Sequence, residues 1–267
     1  MFMHIPRILL TASAKGGVGK STTAAGAAMQ YAALGRKVLL VDCDTASRSL
    51  ELFFDMENAP LFHLGDVILE RCLPEAAYFT PVPDKYPTLY FCASPLRRQE
   101  EEISEKYGSM AKGILHGCTE LAKGFDIVIL DTGSGYNIPE TLTALADTVL
   151  VCTEQSPTSI RAASYTASQL AGMQNVKLTR LVICSFDIRA ASKGQRAGMI
   201  SMIDTSGLKC VGVVPLDKTL LAAQEKGKVP SSRSAAMTAY ANIVRRLTGY
   251  DVPLFSGMRG MKRSRAL

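Results

Sequence analysis

The run Ala14-Lys15-Gly16-Gly17-Val18-Gly19-Lys20-Ser21-Thr22 constrains the possible folds of this chain more than any other stretch. Before it, Arg7-Ile8-Leu9-Leu10-Thr11-Ala12 is short, apolar and β-prone. After it, Thr22 to Leu34 is rich in Ala, free of Pro and carries a single Gly26, which predicts a helix. A strand, a glycine-rich turn and a helix are the setting in which G-x-x-x-x-G-K-[ST] cradles phosphate. Ala14 stands at the first glycine of that pattern. The stretch is therefore a variant, K-G-G-V-G-K-S-T, with a second lysine ahead of the glycines.

Gly16, Gly17 and Gly19 let backbone N–H groups converge on phosphate oxygens with no Cβ in the way. The helix that starts at Lys20 adds its partial positive N-terminus. Lys20 is placed to reach β- and γ-phosphates, and the Ser21 hydroxyl to ligate Mg²⁺. The nucleotide-contacting stretch is thus Gly16, Gly17, Val18, Gly19, Lys20, Ser21 and Thr22. Lys15 is at the wrong end of the loop to do what Lys20 does.

A chain of 267 residues could hold one large α/β domain or two small ones. No Pro/Ser-rich linker or composition break divides it, so one domain is expected over residues 1–250, followed by a basic tail over 251–267. The longest apolar runs are far shorter than the roughly 20 residues a membrane span needs. The start, Met1 to Pro6, lacks the cationic and apolar regions of a secretory signal. The seven cysteines are scattered, odd in number and form no C-x-x-C pair, a reduced, cytoplasmic pattern that also counts against an iron–sulfur site.

Lys37-Val38-Leu39-Leu40-Val41 reads as a strand buried on both faces of a parallel sheet. It ends in Asp42-Cys43-Asp44, on the rim where ligands bind in open α/β folds. Two carboxylates beside a triphosphate make sense with Mg²⁺ or a water to orient. Asp126-Ile127-Val128-Ile129-Leu130-Asp131 is a second apolar strand ending in aspartate, and Asp131 is expected to hold Mg²⁺. Thr132-Gly133-Ser134-Gly135 after it lets the backbone pass close to a γ-phosphate.

Elsewhere, Leu61 to Glu70 has helical spacing, Pro74 to Pro87 is a proline-rich loop and Leu89 to Cys92 a short strand. Apolar residues from Ile103 to Leu121 recur at three and four, which predicts one helix over Gln99 to Leu121 with Glu100-Glu101-Glu102 complementing its dipole. Strands at Thr148–Thr153, Leu181–Cys184 and Val211–Val214 alternate with helices to the end. The fold class expected is α/β, a doubly wound, mostly parallel sheet with helices on both faces.

From Arg7 to Leu247, the order and spacing of these motifs resembles the MinD/ParA family of deviant Walker A ATPases, and its MinD-like members most. The resemblance rests on K-G-G-V-G-K-S-T, D-C-D-T-A-S-R-S-L, the strand ending at Asp131, P-T-S-I-R at Pro157 to Arg161, and G-V-V-P-L-D at Gly212 to Asp217. It implies an ATP/ADP-binding, Mg²⁺-dependent ATP hydrolase that forms a homodimer on ATP. Lys15 would reach across the dimer to the partner's nucleotide, Asp44 would position the attacking water, and Asp42 would sit near the metal's water shell. Gly135 would belong to a second switch, and Pro215 and Asp217 to a loop packing on the base. Three positions depart from the MinD pattern: Ser49 for an asparagine, Gly133 for a proline and Ser156 for a glutamate.

What the resemblance implies is a spatial switch in division-site placement, with a protein regulator that stimulates hydrolysis. D-T-G-S-G is similar to the form in flagellar-number ATPases of the same group, which keeps positioning of flagella or another polar structure open. The departures keep open a nucleotide-dependent binding module with negligible hydrolysis. No basic cluster lies within the folded part, so specific nucleic acid is not an expected partner. The net charge of +6 gathers partly in the tail, where Arg259, Lys262, Arg263 and Arg265 follow Leu254, Phe255 and Met258. That tail reads either as a solvated basic end or as a helix formed on an anionic membrane, opposed by Gly257 and Gly260. The expected location is cytoplasmic, with peripheral attachment to the inner face of the membrane in the second case.

Overall fold

In the computed structural model, which describes residues 8–56, 60–133 and 140–258, the apolar runs become strands of one sheet. They are β1 (Ile8–Ala12), β2 (Val38–Asp42), β3 (Tyr78–Phe79), β4 (Leu89–Cys92), β5 (Ile127–Asp131), β6 (Thr148–Thr153), β7 (Leu178–Phe186) and β8 (Cys210–Pro215). Their spatial order is β3-β4-β2-β5-β1-β6-β7-β8, parallel throughout except for the short antiparallel β3 at one edge. β2, β5 and β6 are buried at every position, which is why they read as continuous apolar runs rather than alternating ones.

This order puts β1 between β5 and β6, with β2 beyond β5. The chain winds one way from β1 and the other way from β6, so the C-terminal end of β1 lies at the switch point of a doubly wound α/β sheet, the usual ligand crevice. Register matters here. Asp131 is level with Thr11 of β1 on one side and Asp42 of β2 on the other, so three strands deliver polar side chains to one spot.

The first helix, Lys20–Ala33, packs against the last, Ala235–Leu247. The contact is close because residue 26 is glycine. A Cβ there would come within 2.4 Å of the buried Tyr240 ring, so alanine would force a shift of a packed aromatic. Pro157–Leu170 packs on Met199–Ser206, and Met110–Leu121 packs on Leu64–Ile68 and Glu100–Tyr107.

Three expectations change. The single helix over Gln99 to Leu121 is instead a 3₁₀ turn (Arg97–Gln99) and two helices, Glu100–Tyr107 and Met110–Leu121. Gly108, at φ +76°, closes the first, and the Ser109 hydroxyl accepts the Lys112 N–H to open the second. Helical spacing survives such a break, so periodicity alone did not reveal it. The helix within Leu61 to Glu70 is only Leu64–Ile68, and the proline-rich loop contains β3.

Packing also runs past the expected boundary at residue 250. The Arg246 guanidinium donates to the carbonyls of Val211, Val252 and Pro253, and Asn242 Nδ2 donates to Ser256 O at 2.7 Å. Leu254 and Phe255 pack against the core and Met258 is buried. These apolar residues therefore share no free helical face: 251–258 is a docked turn with Gly257 at φ +72°. Arg259 to Leu267, including Met261 and Lys262, lie outside the described residues. Among the described residues no helix is long and apolar enough to cross a membrane.

Candidate functional site

The loop after β1 needs its glycines for conformation as well as space. Gly17 and Gly19 have φ of +73° and +91°, a region that costs other residues strain. The loop borders a cleft of about 460 Å³ at the switch point, lined on one side by Gly16, Gly17, Gly19, Lys20, Ser21, Thr22, Asp44, Ser47 and Ser49. Cys184, Ser185, Pro215, Leu216, Asp217 and Gln224 are among the residues of the other wall. Val18 is buried beneath the loop rather than in the cleft, leaving it a backbone contribution. Gly135 lies outside the described residues.

The two loop lysines part company. Lys20 lines the cleft and is buried, its Nζ 3.4 Å from Lys15 O. Lys15 turns the other way, to Glu154 Oε1 at 3.0 Å, Ser159 Oγ at 2.8 Å and Ser156 Oγ at 3.3 Å. Burial pushes the Glu154 carboxyl up, but Lys15 and the two serine hydroxyls outweigh it and hold it below the usual glutamate value. Ser156 caps the helix Pro157–Leu170, so the serine found in place of a glutamate has a local use. Glu154 was not singled out from the sequence and Ser159 only as part of P-T-S-I-R; their distance to Lys15 in space marks them.

Asp44 reaches the cleft from the loop after β2. Its Oδ1 accepts the Ala46 and Ser47 N–H groups at 3.1 and 3.2 Å, and the Ser47 hydroxyl donates to Oδ2. Gly133 comes so close that a Cβ would lie 3.1 Å from Asp44 Oδ1. The glycine at this departure from the MinD pattern is therefore matched to the aspartate it faces. Arg48, at φ +47°, makes a two-nitrogen contact with the buried Glu51 carboxylate.

Asp42, expected near the metal's water shell, has both carboxylate oxygens engaged by backbone. Its Oδ1 accepts the Asp44 N–H at 2.9 Å and its Oδ2 the Leu50 N–H at 3.3 Å. Both oxygens thus pin the Asp44 loop. Burial, then the charge of Asp131, pushes its carboxyl well above the usual range, which suits a positioning residue. The Asp217 carboxylate is also engaged by backbone: it caps Lys218–Gln224 and accepts the Ala236 N–H, while Val214, Pro215, Leu216, Leu220 and Leu221 give that wall its apolar parts.

Asp131 is the exception. Its Oδ1 accepts the Thr11 hydroxyl at 2.8 Å, while its Oδ2 is buried with no hydrogen-bond partner. Burial raises its pKa to about 6, opposed by the hydroxyls of Ser21 and Thr11. An orphaned carboxylate oxygen beside the Ser21 hydroxyl fits a hard, oxygen-preferring divalent cation. Ser49 Oγ donates to Ser21 Oγ at 2.8 Å, so the serine found in place of an asparagine supports that hydroxyl. Among the described residues no group of three or more His, Cys, Asp or Glu could hold a metal alone, so any cation here needs oxygens from a ligand or water.

Residues 9–230 match the CobQ/CobB/MinD/ParA nucleotide binding domain. The chain belongs to this family. Among curated proteins it is similar to the septum site-determining protein MinD of Bacillus subtilis, 29% identical over 92% of this chain and 90% of the relative. Two solved structures share the fold. MinD of the MinC:MinD cell division complex from Aquifex aeolicus superposes with a TM-score of 0.76 at 21% identity, covering 93% of this chain and 98% of that one. The MinD–Mg-ADP complex from Pyrococcus horikoshii gives 0.74 at 16%, covering 90% and 95%. The chain is thus a MinD-like member of the deviant Walker A group.

Proposed function

We propose that this chain binds Mg·ATP in the cleft, dimerises face to face in that state, and hydrolyses ATP as a spatial switch in division-site placement. The observation that carries the reading is the divergence of the two lysines: Lys20 lines the chain's own cleft, and Lys15 is held off it by Glu154 and Ser159. Lys20 and the loop N–H groups hold the phosphates. Ser21 and Asp131 hold the cation, which when bound offsets phosphate charge. Asp44 orients the attacking water and accepts its proton, and Lys15 of the facing copy stabilises the charge that develops on the transferred group.

The partner expected follows from the relatives. The Aquifex MinD was solved with MinC, and a protein of that kind is the regulator we infer for this chain. Attachment to an anionic membrane falls to residues beyond 258, because Leu254, Phe255 and Met258 are already packed.

Calorimetry with Mg·ATP tests the site. Wild-type protein binds, and Lys20→Ala, which removes the buried cation facing the phosphates, loses binding. Equal affinity in the two proteins contradicts the assignment. A second reading, nucleotide-dependent docking with negligible hydrolysis, is favoured by one observation: the Asp44 carboxylate is engaged by Ala46 and Ser47. Phosphate release under single-turnover conditions separates the two.

A further inference from the structure

The wall of the cleft opposite the phosphate loop is largely apolar, with Pro215, Leu216, Leu220 and Leu221 along it, a surface suited to the face of a flat ring. One amide side chain stands among the described residues that line the cleft. Gln224 ends the helix Lys218–Gln224, and its Nε2 donates to Thr22 Oγ1 at 2.9 Å. This contact joins residues 202 apart in sequence and bridges the far wall to the first turn of the helix behind the phosphate loop. Both side chains line the cleft, and neither makes another side-chain hydrogen bond among the described residues. Gln224 Oε1, the second Nε2 hydrogen and the Thr22 hydroxyl proton are therefore all left for a ligand.

We propose that Gln224 determines the base specificity of this cleft, selecting a 6-aminopurine over a 6-oxopurine, and that Thr22 fixes which way its amide faces. The inference rests on the cleft being the nucleotide site. Phosphate oxygens are strong hydrogen-bond acceptors. A Thr22 hydroxyl that gives its proton to one of them must accept in turn, and Gln224 Nε2 supplies the hydrogen. The amide nitrogen is then held toward the loop and Oε1 away from it. The remaining Nε2 hydrogen and Oε1 match N7 and the 6-amino group of adenine, the bidentate pairing a glutamine amide makes with that base. A 6-oxopurine offers the same N7 but sets O6 against Oε1, acceptor against acceptor. Turning the amide over would relieve that clash only by facing Oε1 with a Thr22 hydroxyl whose proton is already committed to phosphate.

Neighbouring groups on that wall do not discriminate in this way. The Ser185 hydroxyl donates or accepts equally and serves either base. The Asp217 carboxylate is taken up by the N–H groups of Thr219, Leu220 and Ala236. Those same contacts anchor the start of the helix that carries Gln224, and its end is held too. The Lys228 N–H returns to Ala223 O at 2.8 Å, and Gly227, at φ +57°, sits so near Asp55 that a Cβ would come within 2.6 Å of the aspartate's own. A helix fixed at both ends keeps the amide at a set distance from the loop, which a specificity contact needs.

The test is calorimetry on the full chain with Mg²⁺ and nucleoside diphosphates, so that binding is read without turnover. Adenosine and inosine diphosphate carry an amino and an oxo group at the 6-position and are otherwise nearly the same. Wild-type protein is expected to bind inosine diphosphate about tenfold or more weakly than adenosine diphosphate. Gln224→Leu keeps the bulk of the side chain and removes both amide groups. It should weaken adenosine diphosphate and leave inosine diphosphate little changed, bringing the two within about threefold. Gln224→Ala should narrow the gap likewise. Thr22→Val should narrow it as well, while Thr22→Ser, which keeps the hydroxyl, should retain it. Equal wild-type affinity for the two diphosphates overturns the proposal, as does a Gln224→Leu or Gln224→Ala protein that keeps the full wild-type preference. Wild-type protein that binds neither diphosphate overturns the cleft reading itself, a result distinct from both.

Discussion

Lys15 Nζ lies 3.0 Å from Glu154 Oε1 of the same chain, and both side chains are about one-third exposed, at 34% and 35%. An ion pair that open to water is worth about 1 kcal/mol or less. Lys15 can therefore leave it cheaply when a triphosphate on a facing subunit offers more charge. On the proposed reading the pair is a weak parking place for the lysine.

Glu154→Gln keeps the shape and removes the charge. It is expected to lower, by about threefold to fivefold, the protein concentration at which ATPase activity is half-maximal, the equivalent of losing up to about 1 kcal/mol of competing interaction. Specific activity measured across a dilution series checks this. An unchanged or higher midpoint contradicts the parking role.

Asp44→Ala is expected to retain Mg·ATP binding while turnover stops, leaving an ATP-bound dimer visible by light scattering. Ser47→Ala tests the neighbouring contact: it frees Asp44 Oδ2 from the serine hydroxyl. Under the hydrolytic reading it leaves turnover intact or raises it. A loss as complete as that of Asp44→Ala would make Ser47 part of the machinery.

Asp131 makes a prediction about pH. Its carboxyl, raised from 3.8 to about 6, binds more protons folded than unfolded between those values. The stability of metal-free protein is therefore greatest below that window and falls as pH rises through it, by up to about 3 kcal/mol. Asp42, raised for similar reasons, adds in the same direction. Asp131→Asn should remove much of the fall, so that in chelator it unfolds at higher denaturant than wild type at about pH 7.5 while binding Mg·nucleotide more weakly. Identical wild-type and Asp131→Asn stability at that pH would contradict the cost assigned to this buried charge.

Arg246→Ala leaves three carbonyls without their cationic donor. A loss of about 2 kcal/mol is expected, concentrated in the docked segment. Amide exchange should quicken over 252–258 before it does within Ala235–Leu247. Uniform quickening would show that the segment and the helix open as one unit.

The phosphate loop, the strand-end aspartates and the mostly parallel α/β class were legible because each is written locally: glycine spacing, apolar runs, a carboxylate at a strand end. Less visible was what depends on approach in space. Glu154 is 139 residues from Lys15, and nothing in its local sequence distinguishes it. Asp42 and Asp131 look alike as strand-terminal aspartates, yet backbone amides take up both oxygens of one and leave an oxygen of the other bare. The break at Gly108 keeps helical spacing on both sides, and the apolar residues of 251–258 meet a groove that only the folded chain provides.

The central claim is that Lys15 completes the site of a facing subunit, and mixing two inactive variants tests it most directly. In a dimer of Lys15→Ala with Asp44→Ala, one site lacks both groups and the other keeps both. Phosphate release from the mixture should recover to at most about a quarter of the wild-type rate, since random pairing makes half the dimers mixed and each holds one working site. Each variant alone should stay inactive. Activity no greater than the sum of the separate variants, or normal turnover by Lys15→Ala alone, would contradict action across the dimer.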